Sequence, residues 1–225
     1  MPMICASRSQ IGRRSPISVR SSPIVLENEA ATGIKQSARR RAKAKQSPVV
    51  IFTVGHSTRP IEEFEALLLA HGVKQLVDVR TIPRSRHNPQ FNGDRLPGSL
   101  KKAGIRYRHM PGLGGLRRAR RDSINSGWHN ASFRGFADYM QTPDFENALD
   151  ELISIAEARP TAIMCAEAVP WRCHRSLIAD ALLVRGIGVV EIASRTRTRP
   201  HTLTPWACVK RKRLTYPAPP ATGSG

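Results

Sequence analysis

Between Val49 and Ile192 the sequence alternates short, continuous apolar runs with segments of helical period, and few architectures accommodate that order. The run "VVIFTV" (49–54) is continuously apolar and β-branched, and "QLVDV" (75–79), Ile105 to His109, "TAIMC" (161–165) and "GVVEI" (188–192) are further short strand candidates. They predict strands, the continuously apolar ones buried on both faces. Between them, "IEEFEALLLAHG" places Phe64, Leu67 and Leu68 on one face and stops at Gly72. Thr58 is expected to cap that helix, with Pro60 near its first turn. Thr142 and Pro143 are expected to open "DFENALDELISIAEA", where Phe145, Leu149, Leu152, Ile153 and Ala156 recur at helical spacing. Shorter helices are expected in "GSLKKAG" and "FRGFADYMQ", and a longer one in "CHRSLIADALLVRG". Strand–helix alternation of this kind predicts an α/β fold: a three-layer sandwich with a mainly parallel sheet and helices on both faces.

Charge sets the borders of that domain. The chain carries a formal net charge of +19. Residues 1–48 hold 10 Lys/Arg against 2 Asp/Glu, residues 49–192 hold 19 against 15, and residues 193–225 hold 7 against none. The expected organisation is one α/β domain at 49–192, flanked by a basic, disordered N-terminal arm at 1–48 and a basic C-terminal tail at 193–225. The arms suit non-specific contact with phosphate polymers, or act only as solubilising segments. An Arg/Ser-rich, acid-poor start also matches the composition of an organelle transit peptide. No apolar segment is long enough for a membrane span and no secretory h-region is visible, so no membrane partner is expected. Four cysteines at irregular spacing, Cys5, Cys165, Cys173 and Cys208, do not form a secreted disulfide scaffold. A cytoplasmic setting is the expectation.

In a parallel sheet, ligands gather outside the carboxyl ends of the strands. The chemically loaded loops fall there: Gly55-His56-Ser57 after the first strand, Arg80 to Phe91 after the second, Pro111 to Gly115 after the third, and Cys165 to Arg175 after the fourth. Arg80, Arg84, Arg86, Arg172 and Arg175, with the start of a helix at Cys173 to Arg175, would form an anion pocket. Asp78, inside an apolar strand, is expected to be buried and paired with Arg80 or another arginine, in a structural or a site role. Gly112, Gly114 and Gly115 serve either turn geometry or close backbone approach.

The cysteines admit three readings. Cys165 is a nucleophile or redox-active thiol activated by the neighbouring helix start and arginines, or it packs as a small hydrophobe with Cys173 under the helix. In the third, Cys165, Cys173, His174 and His56 hold zinc as four soft donors. The nucleophile layout resembles rhodanese-like and cysteine-phosphatase domains, although six residues rather than five separate Cys165 from Arg172. In the preferred reading Cys165 acts with His56 or His174 as acid/base, Glu167 orients, and Arg80, Arg175, Ser57 and Arg84 bind the anion, with no metal or other cofactor. The expected substrate is phosphate-bearing or nucleic-acid-related. A non-catalytic module that binds nucleic acid through the same crevice and the tails is the alternative.

The strings "TVGHS", "LVDVRTIPRS", "NPQFN", "GLGG", "FADYMQTPDF" and "IMCAEAVPWRCHRSLIADAL" occur in one order. In that order the chain resembles a prokaryotic family known as domain of unknown function 488, over roughly residues 49–192. The resemblance implies a single α/β domain and a site at His56, Ser57, Asp78, Arg80, Cys165, Glu167, Cys173, His174 and Arg175. It implies no established reaction. The arginine-rich insertion around Leu116 to Arg121 and the basic arms depart from a compact member of that family.

Overall fold

The computed structural model describes residues 49–218. The expected N-terminal arm lies outside the described residues. The apolar runs form strands β1 (Val50–Gly55), β2 (Gln75–Asp78), β3 (Arg106–His109), β4 (Thr161–Cys165) and β5 (Gly188–Ile192). Helices α1 (Ile61–Ala70), α2 (Leu96–Lys102), α3 (Ala131–Tyr139), α4 (Pro143–Ala158) and α5 (Arg175–Val184) lie between them along the chain. Three further short strands follow: β6 (Thr198–Pro200), β7 (Cys208–Lys210) and β8 (Arg213–Thr215).

The main sheet runs β3-β2-β4-β1-β5-β6, with the first five strands parallel and β6 antiparallel at the edge. Alternation along each strand divides the core between its two faces. Leu76, Val54, Ala162 and Met164 meet α1 and α2 through Phe64, Leu68, Leu96 and Leu100. Val77, Ile51 and Ile163 meet α3, α4 and α5 through Phe136, Leu149, Leu152, Leu177 and Leu182. The expected three-layer α/β domain is therefore the observed one. Thr142 caps α4 by accepting from Phe145 N. Thr58 does not cap α1: Pro60 occupies that position and no side chain caps the helix.

The C-terminal segment is not a tail through residue 218. β6 extends the sheet on β5, and β7 and β8 pair as a ribbon. Ala207, Leu214 and Tyr216 join the same buried cluster as Leu177 and Leu182 of α5. The seven Lys/Arg that make this stretch look solvated are all exposed, while Ala207, Cys208, Leu214 and Tyr216 are buried. Tyr216, fully buried, donates its hydroxyl to Asp180 Oδ2 at 2.9 Å. His201 Nε2 at 2.8 Å and Thr204 N at 3.1 Å serve Asp180 Oδ1. We expect Tyr216→Phe to lower stability by about 1–3 kcal/mol, because it strips a donor from a buried carboxylate. The check is a lower urea midpoint with an unchanged slope; an unchanged midpoint would mean the C-terminal ribbon is not anchored through this bond.

Candidate active site

The carboxyl ends of β1, β2 and β4 lie side by side, and their ladder continues past the strands. His56 N donates to Cys165 O at 3.0 Å, Ser57 N to Ala166 O at 2.9 Å and Val79 N to Met164 O at 3.0 Å. These bonds fold the loop after β4 back across Gly55. A Cβ at Gly55 would stand 2.0 Å from Glu167 O, so only glycine fits beneath that loop. A cavity of about 410 Å³ opens here, lined by His56, Arg80, Cys165, Glu167, Cys173 and His174, with Arg84 and Arg172 at exposed positions.

One wall is a buried ion pair. Arg80 bonds Asp78 through Nε at 2.9 Å and Nη2 at 2.5 Å, and Nη2 also donates to Phe91 O at 2.7 Å. Tyr107 donates to Asp78 Oδ2 at 2.9 Å. Burial and the Asp78 charge push the Tyr107 phenol well above its ordinary pKa, so it stays a donor. Asp78 is thus paired with Arg80 as expected and lies behind the wall rather than in the cavity.

His56 stacks on the Phe91 ring, centroids 4.1 Å apart. Its Nδ1 sits 2.8 Å from Ser57 O and must carry the proton, leaving Nε2 to accept from Arg80 Nη1 at 3.3 Å. Burial, helped by the positive charge of Arg80, lowers its pKa to about 4. A neutral imidazole with both nitrogens engaged holds Arg80 in place. Because the folded value lies below the ordinary 6.5, the unfolded chain binds this proton first as the pH falls. We expect up to about 3 kcal/mol of stability, present above pH 6.5, to be lost by pH 4. Urea melts at both ends of that window check it, and His56→Gln should flatten the difference.

The opposite wall holds the thiols. Cys165 and Cys173 sit at the two ends of the loop, yet the loop folds so that their sulfurs and a His174 ring nitrogen lie within 4.8 Å of one another. His174 Nε2 donates to Val79 O at 3.1 Å, which leaves Nδ1 facing Cys173 Sγ at 3.7 Å. The ring also meets Phe136 edge-on at 5.1 Å. A Cβ at Gly115 would come within 2.5 Å of Nδ1, and one at Gly114 within 2.4 Å of Thr81 Oγ1. Neither glycine has positive φ, so both are present for close approach, to protein side chains.

The two thiols are close enough to influence one another. The neighbouring Cys165 thiol, then His174 and the charge of Arg175, pull Cys173 well below an ordinary thiol against the opposing effect of burial. Cys165, beside Cys173 and buried, is pushed up. The direction for Cys165 is opposite to the sequence expectation, because the neighbouring Cys173 and burial act on it while His174 acts on Cys173.

Several expected anion ligands occupy other positions. The Arg175 guanidinium, 1% exposed, is bound to Thr53 Oγ1 at 2.7 Å and Glu167 O at 2.6 Å, locking the loop onto β1. The Glu167 carboxylate accepts from Val169 N at 3.1 Å; the group that orients His174 is the Val79 carbonyl. Ser57 contributes backbone bonds, with φ of 52°, and Arg86 does not line the cavity. Arg84 and Arg172 do. Cys165, Cys173 and His174 could take a soft divalent cation with the remaining position open to the cavity, but His56, expected as a fourth donor, is held by Arg80 and Ser57. Tyr107, Val79 and Thr81 carry no sequence signal for the site: Tyr107 pairs with Leu76 in the ladder and reaches Asp78 only through its long side chain.

The fold and this cavity define a three-layer α/β domain with a cysteine–histidine pocket at the carboxyl edge of its sheet. Residues 60–182, more than half of the chain, match the family described as domain of unknown function DUF488, and the chain belongs to it. The match begins after His56 and Ser57 and ends in α5, short of the C-terminal ribbon. No curated protein and no solved structure matches the chain significantly. Among the described residues no helix is long and apolar enough to cross a membrane.

Proposed function

We propose that the cavity is the active site of a cysteine-dependent enzyme acting on a phosphate-bearing substrate in the cytoplasm, with Cys173 as the nucleophile. The observation that carries the reading is the Cys173 Sγ–His174 Nδ1 contact, with the histidine tautomer fixed by Val79 O. A nucleophile, a base and a group that orients the base are the components such chemistry needs. In the forward step the Cys173 thiolate attacks phosphorus and forms an S–P bond. The P–O bond to the leaving group breaks, and that oxygen takes the proton His174 Nδ1 has drawn from the thiol. Water then cleaves the S–P bond and returns one proton to Nδ1, releasing phosphate and restoring the thiolate. The Cys165 thiol, its sulfur within 4.8 Å of that of Cys173, steadies the thiolate between turnovers. Arg84 and Arg172 at the cavity mouth supply charge for the non-bridging oxygens, and Arg80 supplies it deeper in.

Inorganic phosphate and orthovanadate should therefore slow alkylation of Cys173, and Arg172→Ala should remove most of that protection. Alkylation at the same rate in saturating phosphate and vanadate would sink the assignment of a phosphate-bearing substrate.

A further inference from the structure

A second depression adjoins the thiol cavity. All three tryptophans of the chain, Trp128, Trp171 and Trp206, line one groove of about 420 Å³, together with Arg199 and Glu191. Trp128 and Trp206 are partly engaged in packing, with rings 5.1 Å apart. Trp171 is not: it is 66% exposed and stacks on no other ring among the described residues. Trp206 is 40% exposed in the same groove, so the two rings present aromatic surface side by side rather than as a single scattered residue.

Two features join the groove to the cavity. Trp171 and Arg172 are consecutive in the turn Pro170–Arg172, and the first lines the groove while the second lines the thiol cavity. Trp128 packs at 4.8 Å on Phe133, which lines the cavity. One ligand can therefore lie across the turn, with a planar portion against Trp171 and an anionic portion beside Arg172.

Charge selects among ligands that like tryptophan. A proline-rich peptide or a neutral sugar would need the rings but not the arginines. Residues 193–218 carry seven Lys/Arg, all exposed, and no Asp or Glu, and Arg199 of this stretch lies in the groove wall. Rings for stacking beside a predominantly basic surface, in which Glu191 is the acid of the groove wall, are the two components of single-strand recognition, since unpaired bases offer faces that a duplex hides.

We infer that the groove is the base-stacking track for a single-stranded nucleic acid, whose phosphate enters the neighbouring cavity. This rests on the reading of that cavity as a phosphate site and narrows the substrate to a polynucleotide strand. Trp171 is the platform, and Arg199 and Arg172 flank it toward the backbone.

The test is binding of a fluorescently labelled oligo-dT of about twelve nucleotides to the full chain, followed by anisotropy and tryptophan quenching across a salt series. The wild-type chain should bind with quenching and should weaken as salt rises. Trp171→Ala should bind about ten-fold more weakly and Trp171→Phe should keep most of the affinity, because stacking is what is lost and restored. Trp171 is exposed, so its removal should leave the fold intact. Equal affinity of Trp171→Ala and the wild type would overturn the inference, assigning any binding to the basic segments alone. No binding by the wild type would overturn it as well. Phosphate protection of Cys173, measured in parallel on both chains, separates the two readings. Protection retained with no Trp171 effect rejects the groove alone, whereas a Trp171 effect without protection rejects the cavity and leaves the groove standing.

Discussion

Cys173→Ser is expected to remove the reactive thiol of the cavity altogether, while Cys165→Ser should only weaken it. The asymmetry follows from what each sulfur touches. Cys173 faces His174 Nδ1 at 3.7 Å and precedes the first turn of α5, and Arg175 adds positive charge. Cys165 ends β4, where burial and the neighbouring Cys173 push its thiol up. Without Cys173, the remaining Cys165 keeps its burial and loses the pairing, so at pH 6 it should alkylate no faster than a simple thiol. Turnover should fall by at least about 1000-fold. Without Cys165, Cys173 keeps His174 and loses the neighbouring thiol that favours its charged form, and its reactivity at pH 6 should drop by roughly ten-fold. Mass mapping of the alkylated peptides in both variants reads this directly, and equal effects of the two substitutions would be incompatible with the assignment.

The second large effect concerns the opposite wall. Asp78→Ala should destabilise the domain by about 3–5 kcal/mol, because it leaves the Arg80 guanidinium buried without its counter-charge. Arg80 is 6% exposed and Asp78 is 0% exposed, so water cannot take the place of the lost carboxylate. Tyr107 would lose its acceptor as well. The second substitution Arg80→Met in the same chain should recover a large part of the loss, since it removes the orphaned charge and keeps the volume. Urea unfolding of the single and double variants measures it. A single variant within about 1 kcal/mol of the wild type would mean that solvent reaches the pair.

The fold was readable in the sequence because strands and helices here keep their own periods. "TAIMC" and "QLVDV" could only be buried strands, and Phe145, Leu149, Leu152 and Ala156 lie on the core side of α4. The place of the site was readable too, since a parallel sheet collects its loops at one edge. The division of labour inside the site was not, because it depends on how one loop folds. Nothing in the spacing of Cys165 and Cys173 shows that residues 166–172 turn back over Gly55 and bring both sulfurs to one point. Arg175 looked like an anion ligand by its place at a helix start, but that position faces inward, where Thr53 and the Glu167 carbonyl take up the guanidinium. Glu167 looked like an orienting carboxylate, yet the backbone carbonyl of Val79, which no sequence pattern marks, performs that role. The C-terminal stretch was misread for a different reason. Its composition is dominated by arginine and lysine, and the few residues that decide its packing, Ala207, Leu214 and Tyr216, are spaced too widely to show a period.

Cys173 is expected to stand as a thiolate at the cavity under neutral and mildly acidic conditions. Iodoacetamide alkylation of the full chain from pH 5 to 9, mapped to each cysteine by mass spectrometry, reads its charge state. Label should appear on Cys173 already at pH 6, at a rate that changes little up to about pH 8. A Cys173 rate that climbs about ten-fold per pH unit toward an ordinary thiol value, or label that goes first to Cys165, would contradict it.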